Sequence, residues 1–230
     1  ERDIAGYLWL GNNRIGYVQD TGGDENFRLF AVNIDGENQA DLTPFDSVRV
    51  QIIDELENNH KEMLIGLNKR DQRLHDVYRL NVISGDMELI AENPGNISGW
   101  QTDHDGKLRL AFTADGVNTS ILYREVEADT FRIILTTDFR EEVNPMFFTF
   151  DNKNLYVSSN RNRDKSALYI FDIETGTETD LIFEHDEVDI LQAMYSKKRK
   201  ILTGVSAYTS KMEYKFFDVW RENVQKELES

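Results

Sequence analysis

The chain has 230 residues, 40% of them hydrophobic and 11% aromatic, enough to bury a sizeable core in one large domain or two small ones. Its 42 acidic against 26 basic residues give a formal charge of −16, a field that opposes both nucleic acid and anionic membrane surfaces as partners. Cysteine is absent, which removes disulfides, thiolate catalysis and Cys-ligated zinc, and no run approaches the roughly 18 apolar residues of a membrane-spanning helix.

The sequence opens Glu1-Arg2-Asp3 with no initiator Met, basic n-region or apolar h-region. It is therefore expected to be a piece cut from a longer protein, the alternative being a chain whose targeting segment has been removed. A cytoplasmic parent is expected, with an exported one left open.

Along the chain five similar segments recur: 29–36 (LFAVNIDG), 77–85 (VYRLNVISG), 121–129 (ILYREVEAD), 168–176 (LYIFDIETG) and 214–219 (YKFFDV). Anchored on Phe30, Tyr78, Tyr123, Tyr169 and Phe216, their spacings are 48, 45, 46 and 47. Periods of about 40 to 50 residues mark propeller blades or helical repeats. The apolar residues alternate, as at Leu29 and Ala31 or Tyr169 and Phe171, and Val, Ile, Tyr and Phe dominate, which is the pattern of strands.

The units are expected at 1–45, 46–92, 93–138, 139–184 and 185–217, each dividing into short runs separated by turn residues. In the second these lie near 48–53, 62–68, 76–81 and 87–91, and in the third near 97–102, 108–113, 119–124 and 131–136. In the fourth they are 143–150, 154–159, 167–172 and 178–182, bracketed by Asp151-Asn152, a polar loop over 160–165, and Glu174-Thr175-Gly176. The fifth unit breaks the pattern. Asp218 is a helix N-cap candidate, and Trp220, Val224 and Leu228 share one helical face, so a short helix over 218–230 is expected where a fourth strand was due. A single blade cannot bury both faces of its sheet, so blades must stack on one another. The fold expected is all-β: a propeller of about five blades of four antiparallel strands, in an incomplete or open ring, with a short C-terminal helix. An open ring exposes blade edges, which invites self-association.

Four stretches, 24–32 (DENFRLFAV) with 41–45 (DLTPF), 66–79 (GLNKRDQRLHDVYR), 93–103 (NPGNISGWQTD) and 158–176 (SSNRNRDKSALYIFDIETG), resemble the non-catalytic propeller of the prolyl oligopeptidase family of serine peptidases. The acylaminoacyl-peptidase-like and dipeptidyl-peptidase-like branches are the nearest in pattern, and the last stretch is shared with TolB-type and pectin-fragment lyase propellers. The resemblance covers nearly the whole chain. It implies a propeller that restricts access to a separate, downstream α/β-hydrolase domain carrying the family's serine, aspartate and histidine. The chain departs from the whole-enzyme pattern in having no G-x-S-x-G, whose glycines permit the strained turn that exposes a nucleophilic serine. The nearest match, Gly204-Val205-Ser206-Ala207-Tyr208, lacks the second glycine, so no catalytic residue is carried over.

Other chemistry is sparse. His60, His75, His104 and His185 sit in four separate turns or loops, without the close spacing of metal ligands. Asp103-His104-Asp105-Gly106 begins like a calcium loop, but the position of the required glutamate falls on Ala114, and a hairpin turn accounts for Asp-Gly. No cofactor and no metal is expected. The basic run Lys197-Lys198-Arg199-Lys200 reads as a solvated turn, or as a dock for a partner's carboxylates. The polar loops between second and third strands place Asp24, Glu25, Asn68, Arg70, Arg73, Asn160, Arg161 and Arg163 on one expected rim. There Arg and Asn side chains suit the charged ends of peptides or a neighbouring hydrolase domain, although solvent-facing turns would have the same composition.

The function expected is therefore the non-catalytic propeller of a prolyl-oligopeptidase-like serine peptidase, gating and orienting peptide substrates for a hydrolase domain absent from this chain. The alternative is a free-standing TolB-type propeller binding a protein or a carbohydrate. A propeller lyase would need a His and carboxylate cluster, against which the scattered histidines speak.

Overall fold

A computed structural model describes residues 3–229; Glu1, Arg2 and Ser230, which carry the opening and the last position of the expected 218–230 segment, lie outside the described residues. The strands fall into five sheets. The first contains β1 (Gly6–Trp9), β2 (Arg14–Gln19), β3 (Arg28–Asn33) and β4 (Ala40–Asp41). The second contains β5 (Val50–Asp54), β6 (Glu62–Asp71), β7 (Leu74–Asn81) and β8 (Met87–Ala91). The third is β9 (Ile97–Thr102), β10 (Leu108–Ala114), β11 (Asn118–Tyr123) and β12 (Arg132–Asp138), and the fourth β13 (Val143–Phe148), β14 (Asn154–Ser159), β15 (Ala167–Asp172) and β16 (Thr177–Phe183). The fifth has three strands, β17 (Ile190–Ser196), β18 (Ile201–Tyr208) and β19 (Met212–Phe216), followed by the helix α1 (Val219–Leu228). Within every sheet the strands lie in chain order, antiparallel to their neighbours. This is the blade pattern of a β-propeller, with a short helix in place of the last strand.

The chain separates into two compact units, one of Glu1–Thr102 with Gly106–Arg109 and Val126–Ala128, the other of Asp103–Asp105, Leu110–Glu125 and Asp129–Ser230. In the first, Leu29 and Ala31 of β3 pack with Met63, Ile65 and Leu67 of β6 and Leu80 of β7, all with no exposed surface. Each of these leucine, isoleucine and methionine side chains contributes about 1.5 to 3 kcal/mol on leaving water, and Ala31 less. In the second, Tyr169 and Phe171 of β15 join Leu155, Val157 and Phe148 in one cluster, while Leu168 turns to another with Phe147, Ile190 and Val205. The two faces of β15 thus feed two cores, which is why its sequence is apolar almost throughout.

Turn chemistry sets the blade repeat. Gly36, Gly85 and Gly176, at the turns between third and fourth strands, all hold a left-handed backbone, with φ of 87°, 80° and 67°. At Gly176 a Cβ would also lie 2.6 Å from the carbonyl oxygen of Ile134.

Two details differ from the sequence expectation. β6 continues to Asp71, because Asp71 pairs with Leu74 after a register shift, so Asn68 and Arg70 lie on a strand and the turn shrinks to Gln72-Arg73. The helix forms with Asp218 as its N-cap, the side chain accepting the Trp220 N–H at 3.1 Å, yet none of its residues is buried. Trp220 and Leu228 stay exposed while Val224 is half-buried; the Trp220 indole lies under the Arg199 guanidinium at 4.8 Å, and the Arg221 guanidinium lies over the Phe216 ring of β19 at 5.4 Å.

Candidate functional site

Each of the rim residues named from sequence already has a partner. In the first unit, Asp24 in the β2–β3 loop accepts both the backbone N–H and the carboxamide of Asn26 at 3.1 Å, contacts that hold its carboxyl below the usual range. Glu25 adopts a left-handed backbone (φ 56°), and its carbonyl accepts the Arg49 guanidinium at 3.0 and 3.2 Å. Asn68 is buried: its Oδ1 accepts the Arg49 N–H at 2.6 Å and its Nδ2 donates to the Gln72 carbonyl at 3.0 Å. Arg70 forks onto Asp76 at 2.8 and 2.9 Å and reaches the Asn93 carbonyl at 2.7 Å. Arg73 pairs with Asp71, whose carboxyl it holds well below the usual carboxylate range.

In the second unit, Asn160 Oδ1 accepts the Glu142 N–H at 2.7 Å. Arg161 faces Glu141 at 3.7 Å, and Arg163 faces Glu184 at 3.3 Å while lying over the Tyr169 ring at 4.6 Å. All four arginines are thus neutralised by the chain's own carboxylates. A peptide carboxylate arriving there must compete with Asp71, Asp76, Glu141 or Glu184.

Ser206 gives the sequence's nearest approach to a nucleophile motif its structural meaning. It sits inside β18, 5% exposed, and a Cβ on Gly204 would lie 2.5 Å from the Lys215 carbonyl oxygen of β19. The glycine permits a close strand approach rather than a strained elbow. The basic turn 197–200 connects β17 to β18, and Arg199 is tied to the Asp218 carboxylate beside α1. Asp103 to Gly106 form the turn between β9 and β10, where Gly106 has φ 71° and Asp103 accepts the Asp105 N–H.

One concavity escaped the sequence reading. In the first unit a cleft of about 450 Å³ opens between the β1–β2 and β5–β6 turns. Its floor is apolar, from Leu10, Leu56 and Val82; Trp9 and His60 form its walls, and Glu55, Glu57 and Glu62 line it. Gly11 (φ 77°) lets the two turns meet, since a Cβ there would stand 3.3 Å from that of His60. Leu56 holds a left-handed φ of 51°, braced by the Asp54 carboxylate accepting its N–H at 2.8 Å. The only sequence signal was the pair Glu55 and Glu57 flanking a leucine; nothing linked them to Trp9.

No known protein-family model matches the chain. Dipeptidyl aminopeptidase BIII of Pseudoxanthomonas mexicana is 30% identical over 227 residues, a match covering 94% of this chain and 32% of that protein. Dipeptidyl peptidase family member 6 of Caenorhabditis elegans is 25% identical, over 93% of this chain and 31% of its own length. The chain therefore spans about a third of the length of either relative. Among solved structures, a prolyl endopeptidase superposes with a TM-score of 0.64 at 9% identity, over 93% of this chain and 32% of that one. TolB from Acinetobacter baumannii superposes at 0.56 with 17% identity, over 92% and 51%. These likenesses show the fold. The sequence relatives are peptidases, in agreement with the resemblance to the propeller of prolyl-oligopeptidase-type enzymes.

Proposed function

We propose that this chain is the non-catalytic propeller of a prolyl-oligopeptidase-like serine peptidase, and that in the parent it limits which peptides reach a separate α/β-hydrolase domain. The observation that carries this reading is the match at 30% identity over 94% of the chain to only 32% of a dipeptidyl aminopeptidase. The remaining two thirds of such a protein has room for the bond-breaking machinery, and no G-x-S-x-G lies within these 230 residues. Within each unit the polar turn positions, Asp24, Glu25 and Arg73 in the first and Asn160, Arg161 and Arg163 in the second, offer contacts to a peptide that displaces their own partners, and holding it near the reacting serine raises its effective concentration.

The test is turnover by the full-length parent of a short peptide and of the same sequence embedded in a folded protein. Cleavage of the free peptide alone is expected; equal turnover of both would remove the gating role. The TolB-type binding reading has fold likeness behind it but no sequence relative, and a parent without hydrolase activity would restore it.

A further inference from the structure

The geometry points to the cleft between the β1–β2 and β5–β6 turns as a binding site for an organic ammonium group, such as a lysine side chain or a free alkylamine. The cleft is concave, with a volume of about 450 Å³ that falls in the range of small-molecule sites. Its floor of Leu10, Leu56 and Val82 suits a methylene chain, with Leu56 and Val82 themselves out of water. Trp9, 59% exposed, presents an indole in the wall, and among the described residues no cation of the chain stands over that ring. An indole face is the aromatic surface that attracts cations most strongly. Glu55, Glu57 and Glu62 make the lining acidic and set the sign of the charge it takes, Glu62 also accepting the Asn59 carboxamide at 2.9 Å, and Lys61, which lies between His60 and Glu62 in sequence, is exposed and outside the lining.

The same residues decide between an organic and an inorganic cation. Among the described residues no three His, Asp or Glu side chains converge as a metal-binding group, so the lining offers no three-ligand set for an inorganic ion. Carboxylates around an apolar floor with an aromatic wall fit a cation that carries its own hydrocarbon. The assignment is independent of the peptidase reading.

The test is isothermal titration of the full-length protein with N-acetyl-lysine methylamide, with N-acetyl-norleucine methylamide, which keeps the four-carbon side chain and lacks the ammonium group, and with 1,5-diaminopentane. The lysine compound should bind with a Kd of about 1 mM, a value in keeping with so few heavy atoms. The norleucine compound should bind about tenfold more weakly or not at all. Trp9→Ala and Glu55→Gln, both at exposed positions and checked for an unchanged circular dichroism spectrum, should each weaken lysine binding about threefold or more. Tighter binding of the diamine assigns the site to free amines, and tighter binding of the amide to peptide side chains. Equal affinity for lysine and norleucine compounds, binding that survives both substitutions, or no binding of either cation would overturn the proposal.

Discussion

Asn68 and Asn160 do the same work in different blades: each carboxamide oxygen accepts the backbone N–H of the residue just before its sheet's first strand, Arg49 at 2.6 Å and Glu142 at 2.7 Å. Both were singled out as rim residues for binding, and both fasten the entry of a blade, Asn68 from within the second strand and Asn160 from the residue after it. Asn68→Ala leaves the Arg49 N–H without its acceptor and should cost about 1 to 3 kcal/mol. The Asn160 pair is more open to water, so Asn160→Ala should cost less. Urea unfolding of the two variants checks the order; equal, negligible losses would show that water replaces the carboxamide in both.

Asp76 is the buried charge of the second blade, 1% exposed, accepting the Arg70 fork and the Asn93 N–H at 2.7 Å. Replacing it strands a guanidinium and a backbone donor together. Asp76→Ala should destabilise by about 1 to 3 kcal/mol, since it leaves the Asn93 N–H without an acceptor while water still reaches the 42% exposed guanidinium. Arg70→Ala should cost at least as much, because it leaves the buried Asp76 carboxylate without its counter-charge. A thermal unfolding series with both variants decides this; a clearly smaller loss for Arg70→Ala would show that water replaces the guanidinium beside Asp76.

Gly176 and Gly85 occupy equivalent turns but differ in their surroundings. Both have positive φ, yet a Cβ at Gly85 meets nothing within 4 Å, whereas one at Gly176 runs into the Ile134 carbonyl at 2.6 Å. Gly85→Ala should cost about 1 to 2 kcal/mol from the left-handed backbone alone. Gly176→Ala should cost clearly more in the same denaturation experiment, and equal losses would show that the Ile134 strand gives way freely.

His75 makes stability depend on pH. Burial, and next the Arg49 charge, lower its pKa, and its Nε2 is buried with no hydrogen-bond partner. Protonation therefore puts an unsatisfied donor and a charge into a half-buried site. The unfolded chain binds this proton near the ordinary histidine value of about 6.5, the folded chain only below it, so stability should rise with pH through that window and fall as pH drops through it. Unfolding midpoints between about pH 5 and 7 should show this slope, and His75→Gln should flatten it. An unchanged slope in the variant would place the proton on another group.

Much of the strand pattern was legible because turn residues bracket it. Met87–Ala91, Ile97–Thr102, Asn154–Ser159 and Ala167–Asp172 form at the expected bounds, and the helix starts at its expected cap, Asp218, and ends at Leu228. β6 overran its expected end because the Asp71–Leu74 pairing is a matter of register, which composition does not encode. The rim residues were legible as polar loop positions, but their partners were not. Asp76 for Arg70 and Glu184 for Arg163 are brought close only by the hairpins between them. The Trp9 cleft was invisible for the same reason, since its walls come from two turns more than forty residues apart.

The most direct test of the central reading is fluorophosphonate labelling of the full-length parent, with the modified residue mapped by mass spectrometry. A labelled serine outside residues 1–230, lost on denaturation, is the predicted result. A label on Ser206 or any other serine within this chain, or a folded parent that takes no label, would contradict it.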